Sequence, residues 1–420
     1  MNWIIFSSIF ILLILAIIFG PNAWRLYKVA NLFDKKTISY NFINMKEFFP
    51  TSTPIKASTS PYVFKRREGF TLPEFYEFEG KEERIQAAID YFNTDGLMIL
   101  QDGEVLYENY WNENKENSRH IIWSVSKSFL SALVGIALDE GLIDDINDPI
   151  IKYLKDFKGT GYEGVSIKNL LQMSSGIEFN EDYGDPDSDI NRYARVTATG
   201  TSQREFAKTL KNSREPGTYN HYISLDSQML GMLVAEVTNM TVKEYLHEKI
   251  WSQIGMQDDA FYLTDKQEVE MSLGGLNVTL RDMAKFGQLY LNKGSWNGKQ
   301  VVPTEWVSNS TIPLDEHVQP NAGEEFTSDA WGYGYQWWVP GPKVSDYSAH
   351  GIYNQFIYVN PESKVVIAKT SSNYNFVDFI FKFDEKSFYL EGSGKTRYSV
   401  KMANGDILPS WLIFLPSQYT

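Results

Sequence analysis

Cysteine is absent from the 420-residue chain. Disulfides, thiolate nucleophiles and thiolate-bound metal centres are therefore excluded, and any covalent catalysis must use oxygen or nitrogen. The compartment stays open, because a disulfide-free protein can function on either side of a membrane. Basic residues are also few, since 39 Lys and Arg stand against 53 Asp and Glu, a net charge of −14. Phosphate binding needs a basic surface, so no nucleic-acid partner is expected.

Metal-binding and nucleotide-binding patterns are missing as well. The five His are never spaced four residues apart, and no H-E-x-x-H or EF-hand loop occurs. The stretch S-G-K-T at 393–396 resembles the end of a phosphate-binding loop, but Tyr389 stands where that pattern requires Gly. No G-x-S-x-G nucleophile elbow is present. We therefore predict no metal and no cofactor.

One uncharged apolar run occupies residues 3–20, and as a helix it is long enough to cross a hydrocarbon core. No Lys or Arg precedes the run and no A-x-A cleavage site follows it, so a retained transmembrane anchor over residues 1–23 is favoured over a cleaved signal. Basic residues between 25 and 36 follow the run, and the positive-inside rule would place the rest of the chain in the cytoplasm.

The remaining chain divides by composition and periodicity. Ser, Thr and Pro clusters over residues 24–79 indicate a linker and N-terminal extension. Apolar residues at helical spacing predict a helix over 82–92, followed by a hairpin around the turn pair Asp102-Gly103. Residues 124–140 predict an apolar helix that should be buried centrally. Further helices are predicted over 167–173, 225–237, 242–250 and 280–291, and a second hairpin over 353–369.

Ser124 and Lys127 begin the central helix with the spacing S-x-x-K. Side chains three residues apart share one helical face, so a neutral Lys127 amine could accept the Ser124 proton. Burial beside the apolar stripe would lower the pKa of that amine, and the helix N-terminus offers a free N–H to a developing oxyanion. On spacing alone, a capping Ser followed by a solvated Lys is the commoner arrangement.

Several motifs in one order favour the catalytic interpretation. They are L-M-I-L-Q-D-G-E-V-L-Y-E-N-Y at 97–110, S-V-S-K-S-F-L at 124–130, P-G-T at 216–218, G-G-L at 274–276, W-G-Y-G-Y-Q-W-W at 331–338 and H-G-I-Y-N-Q at 350–355. Together they resemble the serine β-lactamase and penicillin-binding-protein superfamily, in its esterase-like and 6-aminohexanoate-dimer-hydrolase-like branch. The resemblance covers residues 80–375 and implies an α+β, β-lactamase/transpeptidase-like fold, with an antiparallel sheet flanked by helices and a helical subdomain.

The resemblance also implies roles for individual residues. Ser124 would be the acyl-accepting nucleophile and Lys127 its partner. The second motif, Y-x-S, falls at 222–224, where the Tyr222 phenol would pass a proton to the leaving group and Ser224 would contact substrate. A phenolate–ammonium contact between Tyr222 and Lys127 would keep both groups near the required protonation. A core Tyr with a satisfied hydroxyl is the structural alternative.

The third motif corresponds to Ala349-His350-Gly351. Gly351 would let substrate approach the strand, and the backbone N–H of Ile352 would complete an oxyanion hole with that of Ser124. His350 would be a polar substrate contact or, equally, a structural residue of the strand.

Tyr183 and Asp187 lie in the acidic stretch E-D-Y-G-D-P-D-S-D at 181–189, which resembles a cleft-side loop of the 6-aminohexanoate branch. In that loop they would contact substrate, and the carboxylates could attract a cationic one. A solvated turn is the favoured alternative, because acidic runs with Gly and Pro usually form exposed turns.

Ala349 stands where the family has the Lys or His that would bind the carboxylate of a β-lactam or a D-Ala peptide. The expected activity is therefore hydrolysis of a small ester or amide by a membrane-anchored serine hydrolase. The family usually works outside the cytoplasm, so a periplasmic catalytic domain is expected, against the charge rule. A D-alanyl peptidase or β-lactamase, and a non-catalytic membrane-tethered binding protein of the same fold, are the alternatives.

Residues 376–420 depart from the family pattern, because they alternate like strands around Asn404-Gly405 where the family has a long helix. The stretch N-G-D-I-L-P-S-W-L-I-F at 404–414 resembles dystroglycan-type cadherin-like modules, which are binding or spacer domains. We expect a partial, β-rich module here that could contact protein or glycan.

Overall fold

The computed structural model of the protein describes residues 27–78, 81–199, 202–320, 331–339 and 345–374, together with Trp24, Ala322 and two short segments at 399–401 and 407–409. The predicted anchor over residues 1–23 lies outside these residues and stays a prediction. In the described ranges, every helix is too short or too polar to span a bilayer.

The α-helices of the described residues cluster in the middle of the chain. They are α1 (Ile38–Ile43), α2 (Ile85–Tyr91), α3 (Val125–Asp139), α4 (Ile167–Leu171), α5 (Asp189–Thr199), α6 (Gln203–Lys208), α7 (Ser224–Thr238), α8 (Val242–Leu246), α9 (Leu280–Leu291) and α10 (Thr304–Thr311). Single 3-10 turns occur at Met45–Glu47, Ile150–Lys152, Lys155–Phe157 and Glu316–Val318, and a π turn at His247–Trp251 extends α8.

The longer strands lie before and after this helical middle, and short strands also occur within it. They are β1 (Phe75–Phe78), β2 (Lys81–Arg84), β3 (Thr94–Gln101), β4 (Glu104–Tyr110), β5 (His120–Ile121), β6 (Phe261–Tyr262), β7 (Leu276–Val278), β8 (Ser295–Trp296), β9 (Lys299–Gln300), β10 (Gly332–Tyr333), β11 (Trp338–Val339), β12 (Tyr347–Gly351), β13 (Gln355–Asn360), β14 (Val365–Ser371), β15 (Ser399–Lys401) and β16 (Ile407–Pro409).

Seven of these strands form the main sheet, in the order β10-β11-β12-β13-β14-β3-β4. Each neighbouring pair is antiparallel. The pairing of β14 with β3 brings the two ends of the domain together, because residues far apart in sequence share the centre of one sheet. Every residue of β3 and β14 is buried, as expected for central strands covered on both faces.

The central helix α3 is buried from Val125 to Ala137, as its apolar composition predicts. Phe129 on α3 stacks on Phe286 of α9 with ring centroids 3.7 Å apart. α9 in turn lies close to the sheet, since a Cβ added at Gly287 would come within 2.6 Å of Val366. Truncating a fully buried Phe such as Phe129 to Ala typically costs about 3–5 kcal/mol. Packing against α9, which in turn lies against the sheet, thus fixes the position at which α3 begins.

Most of the predicted elements are confirmed. The hairpin turn has positive φ at both Asp102 and Gly103, as a two-residue hairpin loop requires. α9 covers the predicted range, and β13 and β14 form the predicted second hairpin. The helix predicted over 82–92 begins only at Ile85, because residues 81–84 pair with β1 as strand β2.

The N-terminal extension is more integrated than the predicted linker suggests. Ile38, Phe42 and Met45 are almost fully buried in the main hydrophobic core. Further along, Thr51 and Ile55 form single bridges with Leu263 and Ala260. Apolar side chains spaced through a Ser- and Thr-rich segment therefore hold residues 38–55 against the domain.

Strands β15 and β16 pair antiparallel, with Val400 opposite Leu408. They flank the predicted turn pair Asn404-Gly405, which itself lies outside the described residues. Strand character on both sides of the pair agrees with the alternation seen in the sequence. The rest of the predicted cadherin-like module also lies outside the described residues and stays a prediction.

Candidate active site

Ser124 occupies the N-cap position of α3, but its side chain makes no capping hydrogen bond. Lys127, one turn later, is only 1% exposed. The alternative of a capping Ser followed by a solvated Lys is therefore wrong. The helix directs both side chains into the same enclosed space, as the three-residue spacing requires.

The Lys127 amine has two close polar partners. Nζ lies 2.8 Å from Ser124 Oγ and donates a hydrogen bond to the backbone carbonyl of Leu273 at 2.6 Å. Burial lowers the pKa of Lys127 to about 7, while the nearby Glu181 carboxyl opposes this shift. A substantial neutral fraction near neutral pH follows, and a neutral amine can accept the hydroxyl proton of Ser124.

Tyr222 packs over the same amine, with Lys127 Nζ 5.2 Å from its ring centroid. Burial raises the pKa of Tyr222, the Glu181 carboxyl raises it further, and a hydrogen bond with Ser124 opposes both. The directions for Lys127 and Tyr222 favour a neutral amine and a neutral phenol, so the expected phenolate–ammonium contact is not the favoured state. A neutral phenol beside Ser124 is a proton donor.

Glu181 is a buried carboxyl of the site that the sequence analysis did not single out. It accepts hydrogen bonds from the backbone N–H of Ser224 at 3.0 Å, from the Ser224 hydroxyl at 2.5 Å and from the Tyr183 phenol at 2.6 Å. Burial raises the pKa of Glu181, and the charge of Lys127 opposes the rise. The charge of each of these two groups therefore shifts the pKa of the other. No signal in the sequence separated Glu181 from the solvated acids that follow it.

A small cavity opens directly onto the nucleophile. Its lining consists of Ser124, Tyr183, Tyr222, Trp338, His350 and Ile352. The free volume is about 10 Å³, space for about one water molecule. The space beside Ser124 is therefore narrow.

Strand β12 brings the predicted third motif to this cavity. Gly351 lies close to another segment of backbone, because an added Cβ would come within 2.5 Å of the Ile122 carbonyl oxygen. Any other residue would push the strand away from the segment that leads into Ser124. The backbone N–H groups of Ser124 and Ile352 are thus carried by two segments in direct contact.

His350 is both a lining residue and a packed one. Its ring stacks on Trp338 with centroids 5.6 Å apart and meets the edges of Trp331 and Phe356. The Trp-rich segment divides between two environments, since Trp338 lines the cavity while Trp337 is fully buried against Tyr290.

Of the other predicted substrate contacts, one lines the cavity and two do not. Tyr183 lines the cavity, whereas the Ser224 hydroxyl is directed to Glu181. Asp187 lies in an exposed turn, where its backbone N–H donates to Asp185 at 2.9 Å. Asp182 accepts from the backbone of Gly184 in the same way. These contacts fit the solvated-turn alternative. A direct contact of Asp187 with substrate stays a prediction.

Comparison with known proteins identifies the family of this chain. A family model described as beta-lactamase matches residues 84–382. The chain belongs to the beta-lactamase family. It is 30% identical over 286 residues to the 6-aminohexanoate-dimer hydrolase of Paenarthrobacter ureafaciens, which covers 66% of this chain and 72% of that protein.

Solved structures and other relatives of the beta-lactamase family agree with this assignment. The structure of a candidate 6-aminohexanoate-dimer hydrolase from Bacillus anthracis has a TM-score of 0.75 and 25% identity, covering 84% of this chain and 93% of that one. A beta-lactamase of Pseudomonas fluorescens is 24% identical over 171 residues, or 38% of this chain and 44% of that protein. The predicted superfamily and its 6-aminohexanoate-dimer-hydrolase-like branch are confirmed.

Within this beta-lactamase-family site, Ala349 differs chemically from the cation expected there. Ala349 is 1% exposed and its register partner is Ile357, so it belongs to the apolar side of β12. In the described part of the chain, no group of three or more His, Asp or Glu could hold a metal ion. The side chains that line the cavity include two tyrosines and a histidine, and Lys127 contacts Ser124 directly.

Proposed function

We propose that the protein is a serine hydrolase that cleaves ester or amide bonds through an acyl-enzyme on Ser124. The observation that carries the proposal is the contact, at 2.8 Å, of Ser124 Oγ with a fully buried Lys127 amine whose pKa burial lowers to about 7. Such an amine can remove the hydroxyl proton without the cost of discarding its own charge first.

The proposed first half-reaction transfers the acyl group to the enzyme. Lys127 Nζ takes the Ser124 proton as Oγ bonds to the substrate carbonyl carbon, and the N–H groups of Ser124 and Ile352 stabilise the oxyanion. The C–O or C–N bond then breaks. Tyr222 gives its proton to the leaving alcohol or amine and regains one from the Lys127 ammonium.

The second half-reaction releases the acid. Water gives a proton to Lys127 as its oxygen bonds to the acyl carbon, and the ester bond to Ser124 then breaks. The proton on Lys127 returns to Ser124 Oγ, which restores the starting state. Apart from the substrate itself, the reaction consumes only water.

The substrate class follows from what the third motif lacks. Ala349 offers no cation for a substrate carboxylate, which disfavours β-lactams and D-Ala peptides relative to esters and simple amides. The similarity to a 6-aminohexanoate-dimer hydrolase supports a linear amide as one substrate to test. The family also contains β-lactamases and D-alanyl carboxypeptidase homologues, so these activities are the alternative outcomes.

We also propose that residues 1–23 anchor the enzyme to a membrane with the catalytic domain on its outer, periplasmic side. The uncharged run over 3–20 supports the anchor, and the basic residues after it argue for the opposite orientation. Protease accessibility of the domain in intact and permeabilised cells would decide between the two.

Hydrolysis of short-chain nitrophenyl esters and of the linear 6-aminohexanoate dimer tests the proposal, with Ser124→Ala as the control. The parent should release product and react with a fluorophosphonate at Ser124, and the variant should do neither. Equal rates for both proteins would refute the mechanism. Acylation by a fluorescent penicillin would favour the peptidase or β-lactamase alternative, and a folded parent that takes no label would favour a non-catalytic binding protein.

A further inference from the structure

Two strained residues flank the two N–H groups of the oxyanion hole. Trp123, directly before Ser124, has φ of 44°, and Tyr353, directly after Ile352, has φ of 62°. Positive φ is unfavourable for a bulky aromatic residue and persists only where the surroundings enforce it. The orientation of both N–H groups therefore depends on whatever holds Trp123 and Tyr353 in place.

The N-terminal extension supplies that support. Phe33 stacks on Tyr353 with centroids 5.0 Å apart and planes 13° apart, and lies 6.1 Å from Trp123. Phe42 of α1 meets both rings edge-on, 5.5 Å from Trp123 and 5.1 Å from Tyr353. Trp123 and Tyr353 are themselves 6.1 Å apart. We call these four residues the aromatic clamp.

The extension is fixed independently of the clamp. The Asn41 side chain donates to the backbone carbonyl of Leu32 at 2.8 Å, and Leu32 is only 2% exposed. The Ser39 hydroxyl hydrogen-bonds that of Ser372, just after β14, and accepts from the Asn93 side chain at 3.1 Å. These contacts hold the segment that carries Phe33 against the domain.

We propose that Phe33 is a positioning residue for the oxyanion hole and that residues 27–49 are a working part of the catalytic unit. Stacking on Tyr353 and Trp123 stabilises the strained backbone that aims the N–H groups of Ile352 and Ser124 at the developing oxyanion. This inference rests on the proposed acyl-enzyme chemistry. Phe33 itself is not among the residues that line the cavity.

The exposure of Phe33 makes it a suitable residue for the test. It is 45% exposed, so its truncation removes less buried area than a core substitution would. Tyr91 at the end of α2 is a matched control, since it is 51% exposed and also packs on a neighbouring ring, that of Phe92 at 5.0 Å. Loss of a half-exposed ring is common to both variants, but Phe33 belongs to the aromatic clamp and Tyr91 does not.

The experiment compares Phe33→Ala, Phe33→Leu, Phe33→Tyr and Tyr91→Ala with the parent. For each, kcat and KM on a nitrophenyl ester, the rate of fluorophosphonate labelling of Ser124 and Tm are measured. Loss of one oxyanion donor typically lowers kcat by about 10²–10³-fold, so misaligned donors should cost about 10-fold or more. We expect Phe33→Ala to lower kcat and labelling by that factor with KM within about twofold. Phe33→Tyr should keep the parent values, Phe33→Leu should fall between, and Tyr91→Ala should match the parent.

Several results would overturn the inference. They are an unchanged kcat in Phe33→Ala and Phe33→Leu, an effect on KM alone, or an equal loss in Tyr91→Ala. If Phe33→Ala fails to fold, Phe33→Leu decides in its place, because it keeps apolar volume and lacks the stacking plane. An active parent with unaffected variants would remove only the role of Phe33. An inert parent whose Ser124 takes no label would remove the proposed function, and the inference with it.

Discussion

Lys127 and Lys369 are two fully buried lysines in different parts of the molecule, each 1% exposed. Burial lowers the pKa of both to about 7. Lys127 reaches Ser124 and a backbone carbonyl, whereas Lys369 on β14 lies 4.8 Å from the ring centroid of Phe92 and 5.9 Å from that of Phe356. Among the described residues, the Lys369 amine has no hydrogen-bond partner.

The difference shows that a lowered lysine pKa is not sufficient for a catalytic site. Low polarity produces the same shift at both positions, but only Lys127 has a hydroxyl to deprotonate and backbone N–H groups nearby to receive an oxyanion. Lys285 shows a third arrangement, since it is buried and donates to Asp282 at 3.0 Å. In the proposed mechanism, the role of Lys127 therefore depends on its neighbours as well as on its burial.

Exchanging each lysine for methionine should separate the two positions most strongly. We expect Lys127→Met to lower kcat for ester hydrolysis by about 10³-fold or more, because the Ser124 proton loses its acceptor. Lys369→Met should leave kcat within about twofold of the parent. Steady-state rates at pH 8 on both folded variants measure this, and comparable losses in the two would show that burial rather than the neighbours matters.

Replacing Lys369 should stabilise the fold, although it should leave kcat almost unchanged. The pKa of Lys369 is lowered on folding, from 10.5 to about 7. Between these two pH values the unfolded chain therefore binds more protons than the folded protein. The cost of burying the amine is therefore full below pH 7 and disappears as pH rises. Lys369→Met should raise the free energy of unfolding by about 1–4 kcal/mol at pH 6, and by less at pH 9.

Denaturant unfolding at the two pH values checks this expectation. Lys364→Met is the matched control, because Lys364 precedes the same strand and is 67% exposed beside Asp102. It should change stability by only a few tenths of a kcal/mol. Destabilisation by Lys369→Met at pH 6 would mean that the amine has a strong partner in the folded protein.

Replacing Glu181 should have a smaller effect, which acts through the pKa of Lys127. The charge of a carboxylate favours the ammonium form of Lys127, so Glu181→Gln should lower the pKa of the amine further. The proposed mechanism requires the neutral amine, so the acidic limb of the pH–rate profile should move to lower pH. We expect kcat at pH 6 to rise about two- to tenfold relative to the plateau.

Glu178→Gln provides the comparison for this variant, because Glu178 is an exposed acid three residues away. Its pH–rate profile should match that of the parent. An acidic limb that stays in place in Glu181→Gln would mean that Glu181 is uncharged in the working enzyme. A limb that moves to higher pH would contradict the electrostatic account.

Sequence patterns predicted the groups that depend on local spacing. The S-x-x-K pair works because one helical turn brings Ser124 and Lys127 together, and the hairpin at Asp102-Gly103 depends on the turn residues themselves. The resemblance to known relatives added Tyr222, which lies far from Ser124 in the chain. Local rules alone cannot predict such a contact.

Sequence analysis did not foresee the groups whose role depends on long-range burial. Glu181 begins an acidic run, and only the folded chain separates it from Asp187 by placing it against the Ser224 N–H. Phe33 lies in a segment whose composition indicated a linker, and its stacking on Tyr353 joins residues from opposite ends of the domain. The lowered pKa of Lys369 likewise needs knowledge of which face of β14 is covered.

The most direct test of the central claim is peptide mass spectrometry after brief reaction with a fluorophosphonate, across pH 5 to 9. The account predicts one adduct, on Ser124, whose rate of formation rises with pH through a midpoint near 7, the pKa of Lys127. The adduct should be nearly absent from Lys127→Met and retained in Lys369→Met. Labelling of another residue, or equal labelling of Ser124 in Lys127→Met and the parent, would contradict it.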